Sequence, residues 1–282
     1  MGAVATFLDR LRDEAAGASV ALGVDLPLGV PREYAAGLEA ADFPAFLRGL
    51  ADRPAFFEVC VSVDQVCMDQ PFYPARGVLG MTRAAHAAAL GLSGPHALNR
   101  ACDRATGDRP AGAPVFWTLG ANQSGKAAVS AWRDMLLPAL TARAPRLWPF
   151  EGAFTALLAP GEVAIAETYP AEVQRHLGLR LRGSKRRQKD RATLAPALLA
   201  VLSGLDARAS EAFTATILDG FGADAAGEDR FDSTIGLLGV INVLAGNRPD
   251  TCPDDPWIRR WEGWVLGQKD QDRISSAARE SA

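Results

Sequence analysis

Histidine and cysteine are scarce in this chain: its 282 residues include 3 His and 4 Cys. Cys60, Cys67, Cys102 and Cys252 form no CxxC pair, and no His stands at zinc-finger spacing from them. A disulfide scaffold is thereby excluded, no structural zinc site is expected, and a reduced, cytoplasmic chain is the expectation. His86, His96 and His176 show neither HxH nor HxxxH spacing, and no GxSxG elbow occurs. Long apolar runs are missing as well. No window of about twenty residues is free of charges and breakers, so no membrane span is expected. Nor is there an excess of basic charge: Lys+Arg 30 against Asp+Glu 33 leaves a formal net charge of -3. That excludes a generally basic coat for nucleic acid, while a local basic patch stays compatible with it.

What the chain has is ordinary globular material. Apolar residues make up 48%, enough in a chain of this size to bury a core without staples. The spacing of Val4, Phe7, Leu8 and Leu11 predicts an amphipathic helix over 3–16. Gly17 closes it, and Ser19–Asp25 reads as a buried strand ending in a carboxylate. Beyond the turn Leu26–Pro31, the pattern predicts a helix at 43–52, a strand near 56–63 and a loop at 70–80. A helix at 82–90, an apolar run Val115–Leu119 and a helix near 125–142 follow. Glu162–Glu167 is a second apolar strand ending in an acid, with helices expected at 171–178, 190–203 and 208–219. Asp229–Leu244 is a strongly apolar helix, and the polar tail occupies 269–282. Short apolar strands alternating with helices indicate an α/β fold. Residues 1–268 are read as a single domain with a large insertion at about 32–160.

Three segments bring acids to places that an α/β core draws together. Asp25 and Glu167 end the two apolar strands, and ligands of α/β sheets gather at the carboxyl ends of strands. Asp229 and Asp232 stand at i and i+3 near the start of the apolar helix, hence on one side of it. Oxygen ligands from separate segments suit Mg2+ or Mn2+, which polarises a phosphodiester and activates water. Each acid alone also has a plain structural reading, as a turn cap or a helix-dipole partner.

Three blocks, Gly23–Pro31, Glu167–Val173 and Asp229–Asp232, resemble the signature blocks of the domain of unknown function 429 family. The likeness runs from about Val20 to Leu266. It implies an RNase H-like fold, a mixed five-stranded sheet flanked by helices, and a nuclease activity that is itself inferred for that family. Asp25, Glu167 and Asp232 would be the catalytic and metal-holding acids, with Asp229 as helper. Sequences of this kind open with an acid-bearing strand and two more strands before the first helix, whereas this chain starts at the helix. Either those strands lie upstream of Met1, the expected case because their loss would expose the sheet, or the chain has lost them together with one acid ligand, which would put two-metal catalysis in doubt.

Two further features bear on phosphate. Gly120–Lys126 satisfies GxxxxGK after an apolar run and before a helix, but Ala127 stands where the magnesium-binding Ser or Thr belongs. The alternative function it suggests is nucleotide binding or phosphotransfer, with Lys126 on the phosphate. The second feature is a basic turn in which Lys185, Arg186, Arg187 and Lys189 stand among Arg180, Arg182 and Arg191. Beside a carboxylate centre such residues can hold a phosphate backbone, and the other reading is a solvated loop entering the helix at 190–203. Arg100, Asp103 and Arg104 are read as pairing across a turn, and Asp64 as a spare acid. The expected function is a divalent-metal-dependent nuclease or phosphodiesterase with nucleic acid as partner; a non-catalytic scaffold of the same fold is the remaining alternative.

Overall fold

A computed structural model describes residues 6–77, 79–105, 110–120 and 124–269. The first residues of the expected helix 3–16, positions 121–123 of the GxxxxGK loop and the tail from 270 lie outside the described residues. Helix α1 (Phe7–Glu14) leads into strand β1 (Val20–Val24). Strand β3 (Val163–Glu167) lies between β1 and the two-residue β2 (Arg146–Leu147), and all pairings are parallel. The fold is therefore mixed α/β. The described residues form a three-stranded parallel sheet rather than the mixed five-stranded sheet that the resemblance implies.

All five residues of β3 are buried, as a central parallel strand covered on both faces requires. β1 is an edge, with Val20–Gly23 only half-buried. The register pairs Val24 with Glu167, so Asp25 and Thr168 leave the sheet side by side at its carboxyl end. Helix α11 (Gly227–Leu244) crosses this sheet. Its Phe231, Ile235 and Leu238 join a small core with α7 (Pro170–His176), α9 (Ala195–Gly204) and α10 (Glu211–Leu218), whereas Val240 and Val243 pack with Ala164 and Ala166. Gly23 makes the approach possible. A Cβ there would stand 2.8 Å from both Thr168 Cγ2 and Val240 Cγ2.

The insertion at 32–160 is no appendage, because its residues supply most of the largest core. Its centre is a chain of edge-to-face rings: Phe56–Phe72 at 5.6 Å, Phe72–Phe116 at 5.4 Å and Phe43–Trp132 at 5.3 Å. This explains why the strand expected near 56–63 is absent. Pro54–Phe57 winds into a 3-10 turn that drives Phe56 and Phe57 into the ring cluster. The helices expected around it are present as α3 (Phe43–Gly49), α4 (Arg83–Ala89) and α5 (Ser124–Ala131). The last of these runs through a π turn into α6 (Leu137–Ala142).

Candidate active site

The carboxyl end of the sheet opens into a cleft of about 500 Å3. Its floor carries Asp25, Glu167 and Thr168, and Lys185 reaches in from the basic turn. Gly112, Ala113, Val115 and the start of α5 at Ser124 and Ala127 also line it. Two features that the sequence presents as separate candidates, the strand-end acids and the helix after the GxxxxGK loop, thus border one cavity.

Glu167 is fully engaged by protein. The Arg100 guanidinium grips its two oxygens in a fork at 2.7 Å each, and the Leu28 N–H donates to Oε2 at 2.8 Å. Arg100 is 1% exposed. It also donates through Nε and Nη2 to Asp103 at 2.8 and 3.0 Å and through Nη1 to the Glu262 carbonyl at 3.3 Å, so all five of its donors are spent. Burial works against the Arg100 charge, but Asp103 and Glu167 outweigh it and lift its pKa above an ordinary arginine's. Burial pushes the Glu167 carboxyl up, and the charge and hydrogen bonds of Arg100 oppose that rise. The expected turn pairing of Arg100 with Asp103 is present. The longer reach from Arg100 to Glu167 is not visible in local spacing.

Asp25 and Asp232 are in a different condition. Asp25 lies open to the cleft, yet the walls around it push its pKa up to about 7. Burial is the largest cause, followed by the carboxylates of Asp232 and Glu167, with Lys185 pulling the other way. Asp232 is also raised, first by burial, against the hydrogen bond and charge of Lys185. Its Oδ2 accepts from Lys185 Nζ at 2.5 Å, and its buried Oδ1 has no partner among the described residues. Lys185 also stands 3.3 Å from Glu228. The acid that joins Asp232 at this ammonium is therefore Glu228, at i−4, whereas Asp229 is exposed. Helix phase explains the difference, since four residues return nearly to the same face.

The basic turn is built to hold Lys185. Arg191, 1% exposed, donates to the carbonyls of Lys185, Gly220 and Gly222, pinning the turn to the loop before α11. Asp190 accepts from Ser184 N at 2.8 Å and from Arg187 Nε at 2.6 Å. Arg187 is thus tied within the turn, Arg186 is 78% exposed at 3.9 Å from Glu228, and Lys189 is exposed. Of the expected phosphate-binding side chains, only Lys185 lines the cleft.

In the GxxxxGK segment, the Gly125 N–H donates to the Trp117 carbonyl at 3.1 Å rather than facing an open cradle. A Cβ at this glycine would lie 2.8 Å from the same oxygen, so close packing of α5 on Trp117 demands the residue. Lys126 is exposed and does not line the cleft, and Asp64 is exposed on a 3-10 turn. Sequence reading passed over Glu262, which is 0% exposed and accepts from the Ala101 N–H at 3.1 Å. Its signal was an acid set between Trp261 and Trp264.

Among the described residues, no three His, Cys, Asp or Glu side chains are grouped so as to hold a metal ion. With Glu167 held by Arg100, Asp25 is left open to the cleft, while Asp232, beside Lys185 and outside the cleft lining, and Glu262 each keep a buried oxygen with no partner among the described residues. Compared with family models, with curated proteins and with solved structures, the chain matches none of them.

Proposed function

We propose that the cleft is the active site of a divalent-cation-dependent phosphoester hydrolase of the phosphodiesterase or nuclease type, on an RNase H-like core. The observation that carries this reading is the pair Asp25 and Asp232. These two carboxylates are raised by burial and balanced by a single ammonium, and one oxygen of Asp232 has no partner among the described residues. Mg2+ and Mn2+ suit such a pair, because Mg2+ is commonly held by one or two carboxylates together with substrate phosphate. When bound, the cation supplies polarisation of the phosphoryl oxygen and activation of water.

The rest of the reading concerns this chain's own groups. Asp25 and Asp232 hold the cation, and Lys185 carries a third N–H beyond its two carboxylate contacts for a phosphate oxygen. Glu167 becomes a positioning residue: through Leu28 N–H it ties the turn that carries Asp25 to the end of β3. Asp229 adds only charge to Asp232, and Arg186, Arg187 and Lys189 form a rim. The likeness of the blocks Gly23–Pro31, Glu167–Val173 and Asp229–Asp232 to domain of unknown function 429 sequences supports the same reading. In that frame β1 and β3 belong to the parallel part of an RNase H-like sheet.

The test is a calorimetric titration with Mn2+ beside hydrolysis of bis(p-nitrophenyl) phosphate. Asp232→Asn should abolish both while leaving the circular dichroism spectrum intact. Undiminished cleavage by that variant would refute the assignment.

A further inference from the structure

We infer that the cleft takes a compact phosphate ester of nucleotide size presenting one phosphate, rather than a stretch of polynucleotide backbone. This rests on the phosphoester reading above and narrows its substrate. The first ground is size: about 500 Å3 falls within the roughly 300–1,000 Å3 typical of small-molecule sites. Gly112, Ala113, Val115 and the start of α5 at Ser124 and Ala127 line it together with the strand ends, so walls from separate parts of the chain bound the space.

The second ground is charge capacity, and it is independent of the first. A protein that tracks a nucleic-acid backbone neutralises several phosphates with several free Lys or Arg side chains. Among the described residues, the charged side chains lining this cleft are three carboxylates, Asp25, Asp103 and Glu167, against two cations, Arg100 and Lys185. Arg100 has no donor left. Lys185 therefore offers the cleft one N–H, the complement of one phosphate oxygen. Arg186 and Arg187 do not line the cavity, and Arg187 is bound to Asp190. A polyanion threaded past this floor would meet more carboxylate than cation.

The third ground is the apolar wall. Leu26, Pro27, Val115 and Val265, with the half-buried ring of Tyr169, supply apolar lining to the cavity. Such a wall receives a base or another ring attached to the phosphate, leaving only the phosphoryl group at the Asp25–Lys185 end.

The experiment compares thymidine 5′-monophosphate p-nitrophenyl ester with a long single strand and a duplex, all in Mn2+ and over a salt series. The small ester should be turned over with kcat/KM about tenfold or more above either polynucleotide. The slope of log KM against log salt should correspond to about one ion. Ala113→Phe and Ala127→Phe narrow the cavity from two elements. Both should lower turnover of the small ester about tenfold while Mn2+ binding, measured by calorimetry, stays unchanged. Internal cleavage of polynucleotides with a slope of several ions, indifferent to both variants, would overturn the inference and leave the phosphoester reading standing. If Mn2+ does not bind at all, that reading falls instead. Calorimetry with thymidine 5′-monophosphate alone then decides the ligand: binding that Ala113→Phe removes upholds it, and no binding to the unmodified chain refutes it.

Discussion

Replacing Arg100 by Met tests the buried clamp behind the cleft most directly, since Met keeps much of the side-chain volume and removes only the charge and donors. Arg100 is 1% exposed and makes 2.7 Å contacts to both oxygens of Glu167, which is itself 6% exposed. Without it, Glu167 keeps a single donor, the Leu28 N–H, and Asp103 loses its fork. Removing one partner of a buried pair costs about 3–5 kcal/mol, because the other charge is left in a poorly solvated place. At roughly 2–4 °C per kcal/mol for a domain of this size class, the melting temperature should drop on the order of 10 °C. The double variant Arg100→Met/Glu167→Gln leaves a neutral amide in place of the stranded charge and should recover part of the loss, with a coupling of about 1 kcal/mol or more. The pH dependence has a definite sign. Burial already raises the Glu167 carboxyl, and without Arg100 nothing comparable opposes that rise. An acid raised in the folded state contributes stability that is present at low pH and lost as pH climbs through its folded pKa. The deficit of Arg100→Met should therefore shrink on acidification. Urea unfolding of the four members of the cycle at neutral and mildly acidic pH reads all of this. A single variant within about 1 kcal/mol of the unmodified chain would refute the clamp.

Three further outcomes follow from other parts of the molecule. Asp25, raised to about 7, should contribute stability that is full below the ordinary carboxylate range and lost as pH rises through about 7; Asp25→Asn should flatten that limb in urea melts. His86 is held neutral: burial lowers its pKa, Nε2 donates to the Pro71 carbonyl at 2.8 Å, and buried Nδ1 has no partner among the described residues. A lowered histidine gives stability that is present above its ordinary pKa of 6.5 and lost as pH falls below it, so His86→Leu should show a shallower loss of melting temperature between neutral and acidic pH. Gly23→Ala should cost about 1–3 kcal/mol by overpacking against Thr168 and Val240. Val240→Ala in the same chain should restore part of it, and a Gly23→Ala protein as stable as the parent in denaturant would contradict the close crossing of α11.

Regular elements were legible where one local rule sufficed. Glu162–Glu167 reads as a strand because a central parallel strand needs no alternation, and all of Val163–Glu167 is buried. α11 is legible from its continuous apolar pattern. The run at 56–63 misleads because its rings serve an aromatic core instead of a ladder, and β2 is two residues long, too short to leave a pattern. At the site, Arg100 with Asp103 is visible as an i,i+3 pair, while its grip on Glu167 spans 67 residues. Glu228 was hidden behind Asp229, since choosing between them requires knowing which face of α11 Lys185 approaches.

What the sequence determined by itself is the inventory. It set the alternation of apolar strands and helices, an acid at the end of the runs that became β1 and β3, and a basic turn. These follow from short-range rules of period, propensity and spacing. Only the tertiary structure decided which of those charges are free. Glu167 and Arg100 cancel each other, Arg187 is held by Asp190, and Lys185 alone of its turn lines the cleft beside Asp25 and reaches Asp232. The physical reason is that the protonation state and spare hydrogen-bonding capacity of a charged group depend on its burial and on partners that only the folded chain brings within a few ångströms.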